Sequence, residues 1–183
     1  MSRLAPFDPA VADGRRKELL DAVQASFGAT PNLFRTAAQS ETALAAMLEM
    51  FQTINGGTLG PQLVEKIAIA VAEVNGCSYC LSAHTAIGKM HNVPAEELES
   101  SRGGVSSDAK TEAALRFAQA VAHERGGVAE DEYAQVREAG WTDGEIAEIL
   151  ANVALNTFTN YFAVASKVEI DFPLVRVGEP ATA

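Results

Sequence analysis

Apolar and polar positions along the chain recur at helical spacing, and period-two alternation is almost absent. In PQLVEKIAIAVAEV, residues 61 to 74, the apolar positions Val64, Ile67, Val71 and Val74 fall on one helical face. Gly60-Pro61 opens this helix with a proline at its first position, and Asn75-Gly76 ends it. Thr30 before Pro31 reads as another N-cap and helix start, and Ser40 caps ETALAAMLEMFQTI, which stops at Gly56-Gly57. The next helix begins close to Cys77 and runs to about Lys89, followed by a short one, PAEELES, opened by Pro94. TEAALRFAQAVAHERG is amphipathic and stopped by Gly126-Gly127, and EDEYAQVREAG is stopped by Gly140. Thr142 with Glu145 three residues on is a capping box that introduces the longest helix, from about Asp143 to Lys167. Trp141, just ahead of that box, is placed to pack as its hydrophobic staple.

These elements predict an all-α fold, a compact helical bundle. A length of 183 residues suits one domain with a real core. Residues 1–27 form an N-terminal helical segment of it, and residues 173–183 an extended or disordered tail. The stretch SSRGGVSS, residues 100 to 107, reads as a flexible loop inside that domain. The apolar load on such a chain predicts a homo-oligomer.

A formal net charge of −10 argues against nucleic acid as a partner, because phosphate neutralisation needs clustered Lys and Arg. The one basic run, Arg15-Arg16-Lys17, reads as the solvated face of an opening helix. No apolar run reaches the roughly 18 residues that span a bilayer, and the start lacks a signal peptide's apolar region, so no membrane partner is expected and a cytoplasmic location is the default.

Polar groups inside apolar helices draw the eye to two places. In the last helix Asn152, Asn156 and Asn160 recur at i, i+4, i+8 as one polar stripe. Buried asparagines need partners, which predicts bonds to other helices or across a subunit interface, or a supporting place beside an active site. The second place holds the only two cysteines, in EVNGCSYCLSAH, residues 73 to 84. On a helix Cys77, Cys80 and His84 lie on one stripe with Cys80 in the middle. Cys77 and Cys80 can close a disulfide, and His84 can reach Cys80 to take its proton. A helix N-terminus, CxxC spacing and a nearby histidine all lower a thiol pKa. A peroxide attacked by such a thiolate yields a sulfenic acid that the second cysteine captures. A base on the preceding helix would be Glu65, a boundary residue by periodicity, or Glu73, and spacing does not choose between them.

The run Glu65, eleven residues, Cys77, two residues, Cys80, three residues, His84 resembles the signature of the alkylhydroperoxidase D-like (AhpD-like) proteins of the carboxymuconolactone decarboxylase superfamily. CSYCLSAHTAIGK, NVALNTFTNYF and EIDFP resemble its peroxidase-related branch, and the likeness covers roughly residues 28–172. It implies an AhpD-like helical domain assembled as trimers or hexamers. It also implies a cofactor-free peroxidase that reduces hydrogen peroxide or organic hydroperoxides and is re-reduced by a dithiol partner, a lipoyl or thioredoxin-like protein. Carried over by position, Cys80 is the peroxidatic sulfur, Cys77 the resolving one, and His84 the proton relay to Glu65, which the pattern selects over Glu73. Tyr79 and Asn156 then shape the pocket or support it from behind. Tyr79 stands where well-studied peroxidases of the family carry a histidine, and a phenol does not share protons near neutral pH as imidazole does.

Three rival uses of the same residues stand beside this one. A zinc site would use both thiolates and His84, but it needs a fourth ligand and no second CxxC exists; His91 lies too far along the helix and His123 elsewhere. Both of these histidines read as surface or helix-end residues. A cysteine hydrolase would need its pair brought from distant segments and an oxyanion-hole loop. A redox-sensing or scaffold protein would keep the CxxC with little turnover.

Overall fold

The computed structural model describes residues 2–179. Among them are nine α-helices and no strand. A 3₁₀ turn at Pro9–Val11 precedes α1 (Gly14–Phe27), α2 (Asn32–Ala37), α3 (Glu41–Asn55), α4 (Pro61–Val74) and α5 (Ser78–Met90). Then follow α6 (Ala95–Ser101), α7 (Ala109–His123), α8 (Glu130–Glu138) and α9 (Asp143–Ser166).

Helix α4 is the axle of the bundle and packs against α5, α6, α7 and α9. Both its faces are apolar, so it divides two clusters. Ile69 and Ala72 join α1, α2, α3, α5 and the end of α9, while Leu63, Ile67, Ala70 and Val71 join α7, α8 and the start of α9. Trp141 belongs to the second cluster with Ile146, the N4 partner of a staple. Its indole N–H donates to the Lys110 carbonyl at 2.8 Å.

Most helix ends follow the local signals. Ser40 Oγ accepts from the Ala43 N–H, Asp108 from Thr111, and Thr142 with Glu145 closes a reciprocal capping box. The end of α4 is a Schellman turn: the Cys77 N–H bonds to the Ala72 carbonyl at 2.9 Å and the Gly76 N–H to that of Glu73 at 3.3 Å. Gly76 sits at φ 71°, a conformation that a side chain opposes, and the chain re-enters a helix at once. That turn aims α5 back along α4, which brings Glu65 and His84 together.

Two expectations are corrected by long-range contacts, which also place the tail. Thr30 does not cap α2; its hydroxyl donates to Gln24, and the first α2 amides are held from afar. The Asn32 N–H donates to Asp171 Oδ2 at 2.8 Å and the Leu33 N–H to the Tyr79 hydroxyl at 3.1 Å. The 100–107 loop is fastened rather than free: Arg102 is buried against Glu73 and Glu99, and Ser106 and Ser107 both bond to Glu97. Residues 173–179 lack regular structure but lie fastened over the start of α5. There the Val175 and Val177 N–H groups donate to the Ser82 and Ser78 hydroxyls, and the Gly178 N–H to Glu73. The rest of the expected tail, 180–183, lies outside the described residues. The basic run near the start is paired off, Arg15 with Glu18, Arg16 with Glu41 and Lys17 with Asp21.

Candidate active site

Cys77 is the N-cap of α5, and its sulfur accepts the Cys80 backbone N–H at 3.2 Å. Both thiols are reduced and buried. Hydrogen bonding from the Cys80 thiol and backbone pulls the Cys77 thiol below the usual range, against the opposing effect of burial. Burial pushes Cys80 well up, and so does its role as donor to Cys77. The Asn160 side chain acts the other way on Cys80 and favours its ionised form. Of the two thiols Cys77 is therefore the easier to ionise, and Cys80 the one that holds its proton more firmly. Sequence reasoning expected the easily ionised sulfur at Cys80. The difference arises because the free N–H groups of the first turn point at the cap residue, Cys77, whereas Cys80 is one turn deeper in apolar surroundings.

His84 follows one turn after Cys80 on α5, and its Nδ1 lies 2.7 Å from Glu65 Oε2 on α4. Glu65 is only 7% exposed, so it is no boundary residue. It is the buried ionisable side chain on this stretch of α4, with Lys66 beside it turned to Glu97, and its burial is compensated by the imidazole. Glu73, the other acid considered, is committed to Arg102 at 2.9 Å and to the Gly178 N–H, on the tail side of α5. With Nδ1 engaged, Nε2 is the nitrogen left to exchange protons in the site.

Two adjoining cavities meet at His84. The smaller, about 40 Å³, is lined by Cys80, His84, Tyr79 and Thr159 with an apolar rim. It has room for roughly three water-sized groups. The larger, about 380 Å³, includes Glu65, His84, Asn152, Asn156 and Asp171, walled by aromatic rings. Phe27, Phe51 and Phe172 border both cavities. Cys77 lines neither.

The asparagine stripe divides its work. Asn160 makes an interhelix bond, its Oδ1 accepting from Asn75 at 3.0 Å. Asn152 and Asn156 do not reach other helices; their amides donate to carbonyls one turn back, on Glu148 and Asn152, at 2.9 Å each. Tyr79 lines the small cavity, but its hydroxyl faces away from exchange chemistry. It accepts the Leu33 N–H and lies against Asp171, and burial pushes its pKa further up. Among the described residues no three His, Cys, Asp or Glu side chains converge as a metal site would require. His91 is exposed at the end of α5, and His123 is exposed and paired with Glu124.

Asp171 and Phe172 are the site residues that sequence reasoning passed over. Both sit in EIDFP, a segment already singled out by likeness, yet only the fold shows that it returns to seal α2, Tyr79 and the large cavity.

Residues 41–124, which carry α3 to α7, match the model of the carboxymuconolactone decarboxylase family. An alkylhydroperoxidase AhpD core structure, an uncharacterized peroxidase-related protein from Ralstonia eutropha JMP134, superposes with a TM-score of 0.82 at 25% identity, covering 93% of this chain and 92% of that one. The family-model match and this shared fold support an assignment to the AhpD-like carboxymuconolactone decarboxylase superfamily. An uncharacterized peroxidase-related protein from Silicibacter sp. TM1040 shares the fold at 23% identity and a TM-score of 0.77, over 91% of each chain. The debrominase Bmp8, solved as a cysteine-to-alanine variant in complex with 2,3,4-tribromopyrrole, shares it at 19% identity and a TM-score of 0.81, over 93% of this chain and 92% of that one. No curated protein matches the chain at a significant level by sequence. Among the described residues no helix is long and apolar enough to cross a membrane.

Proposed function

We propose that the chain is a thiol peroxidase that reduces hydrogen peroxide or organic hydroperoxides through Cys80 and Cys77. The observation that carries this reading is that Cys80 and His84 line one cavity while His84 is held by a buried carboxylate, Glu65, at 2.7 Å. Cys80 is the sulfur that meets the peroxide, because it borders the cavity and Cys77 does not.

Burial holds the thiol proton on Cys80, so it must first leave, to a thiolate at Cys77 or to the His84–Glu65 couple. The Cys80 thiolate then attacks one peroxide oxygen and the O–O bond breaks. The departing alkoxide takes a proton from the couple, leaving alcohol and a Cys80 sulfenic acid. Cys77 attacks the Cys80 sulfur; the S–O bond breaks and hydroxide leaves as water once protonated. One peroxide and two thiols become one alcohol, one water and one disulfide. A dithiol donor, a lipoyl or thioredoxin-like protein, returns two electrons and two protons to restore the pair. Exposed Tyr161 and Val164 on α9 support a homo-oligomer, a trimer or hexamer, which light scattering would test against a monomer of 19.3 kDa.

A second reading is favoured by the larger cavity, which at about 380 Å³ far exceeds what hydrogen peroxide needs. The same dithiol can deliver two electrons to a halogenated ring: the carbon–halogen bond breaks, one thiol proton takes the halogen's place on the ring, the other is released with the halide, and the two sulfurs join as the disulfide. Peroxide consumption by the reduced protein with dihydrolipoamide, against a Cys80→Ser control, tests the first reading. Halide release from a brominated arene tests the second. Turnover equal to the control in both assays would leave a redox-sensing or scaffold role.

A further inference from the structure

The larger cavity carries information on what occupies it. Its walls are chiefly apolar and aromatic, with Phe27, Phe51 and Phe172 turned to a space of about 380 Å³. Ligand sites begin at about 300 Å³, and a cavity of about 150 Å³ already holds benzene. Into it project the two asparagines of α9. Asn152 and Asn156 are 1% and 2% exposed, and among the described residues neither Oδ1 has a hydrogen-bond partner. Their amide N–H groups are spent on α9 carbonyls, which fixes the oxygens as the groups left over. A buried carbonyl oxygen without a donor costs about 1–3 kcal/mol, so a ligand that supplies a donor recovers it. The ionisable groups lining the space are Glu65, Asp171, His84 and His91, with no Lys or Arg among the described residues there. Glu65 and His84 are already paired, and Asp171 adds a further negative charge. A bound carboxylate would be desolvated with no cation of its own.

We infer that this cavity binds a small neutral ring that bears an O–H or N–H donor, its ring between the phenylalanines and its donor on Asn152 and Asn156, and that it rejects carboxylates. His84, shared by both cavities, would then face such a molecule from the side of Cys80. That the ring is the substrate's body rests on the thiol-reduction reading; that it binds does not.

Calorimetric titration of the full reduced chain at pH 8 with phenol, toluene and benzoate tests the inference. Phenol is expected to bind about three- to ten-fold more tightly than toluene, the worth of one recovered hydrogen bond. Benzoate is expected to bind at least about ten-fold more weakly than phenol, for want of a cation. Asn156→Leu and Asn152→Leu should each shrink the phenol advantage while toluene still binds. Should either variant fold poorly, the wild-type protein keeps the test open, since phenol and not toluene must shift the side-chain amide NMR signals of Asn152 and Asn156. Benzoate binding on a par with phenol, a phenol advantage untouched by both variants, amide signals that ignore phenol, or no binding of either ring would each overturn it. Cys80→Ser protein is expected to bind phenol as wild type does. Wild-type peroxide turnover no greater than that of Cys80→Ser, with phenol binding intact in both, therefore counts against the peroxidase reading alone.

Discussion

His84 Nδ1 and Glu65 Oε2 stand 2.7 Å apart, joining two consecutive helices through a pair of buried side chains. The Schellman turn at Gly76 makes the meeting possible, and the pair in turn borders both cavities. Removing either partner should slow peroxide reduction by about a hundred-fold, the lower end of what a positioned acid–base group contributes. Glu65→Gln and His84→Ala combined should cost little more than either alone, because they act as one unit. Steady-state rates of the two single variants and the double variant check this. Additive losses would mean that the residues work separately.

Thiol ionisation should be split between the cysteines in a definite order. In wild-type protein one thiolate should form below the ordinary thiol range, on Cys77, since Cys80 donates to it. In Cys80→Ala the largest lowering cause, the hydrogen bond from the Cys80 thiol, is removed, so the Cys77 transition should rise. In Cys77→Ser the remaining Cys80 thiol is buried and should ionise only above the ordinary range. Ultraviolet thiolate absorbance against pH distinguishes the three proteins.

Glu97 gathers the 100–107 loop, accepting from the Ser106 hydroxyl at 2.7 Å, the Ser107 N–H at 2.8 Å and Lys66 at 3.1 Å. These bonds, those from Ser107 and Ser106 foremost, hold its carboxyl down at about 2. A folded-state value below the unfolded one favours folding above the unfolded pKa, about 4.3. That contribution is lost as pH falls from there through about 2. Glu97→Gln should therefore lower stability at neutral pH, and the gap to wild type should narrow in acid. Urea unfolding at several pH values measures it.

Gly76 has nothing within 4 Å of where a Cβ would stand, so a substitution meets strain and no clash. Gly76→Ala should destabilise the chain by about 1–2 kcal/mol, the cost of a left-handed non-glycine residue. A shift in the denaturation midpoint at unchanged slope would show it.

The Tyr79 hydroxyl is occupied by structure, accepting the Leu33 N–H at 3.1 Å. Tyr79→Phe leaves the buried Leu33 N–H without its acceptor, and should cost about 1–3 kcal/mol of stability with little change in peroxide turnover. A large loss of turnover in a well-folded variant would place the phenol in the chemistry instead.

The helices were legible from the sequence because caps, glycine stops and apolar periodicity act within a few residues. Ser40, Asp108 and Thr142 cap their helices through side-chain bonds to amides three residues away. What escaped was held by contacts across long separations. The cap of α2 comes from Asp171, 139 residues away, and from Tyr79. No local pattern discloses that, and Thr30-Pro31 offered a plausible false start. Glu65 looked like a boundary residue because periodicity counts a carboxylate as polar and cannot see the histidine that compensates it. The asparagine stripe was visible, but not that two of its members would turn their amides onto α9 and leave their oxygens unpaired.

The central claim is that Cys80 meets the peroxide and Cys77 resolves it, and mass spectrometry after a single equivalent of cumene hydroperoxide tests it most directly. Reduced wild-type protein should lose two hydrogens and form a Cys77–Cys80 disulfide; Cys77→Ser should gain one oxygen on Cys80, and Cys80→Ser should remain unmodified. Oxygen gained on Cys77 in the Cys80→Ser protein, with none on Cys80 in the Cys77→Ser protein, would contradict the account.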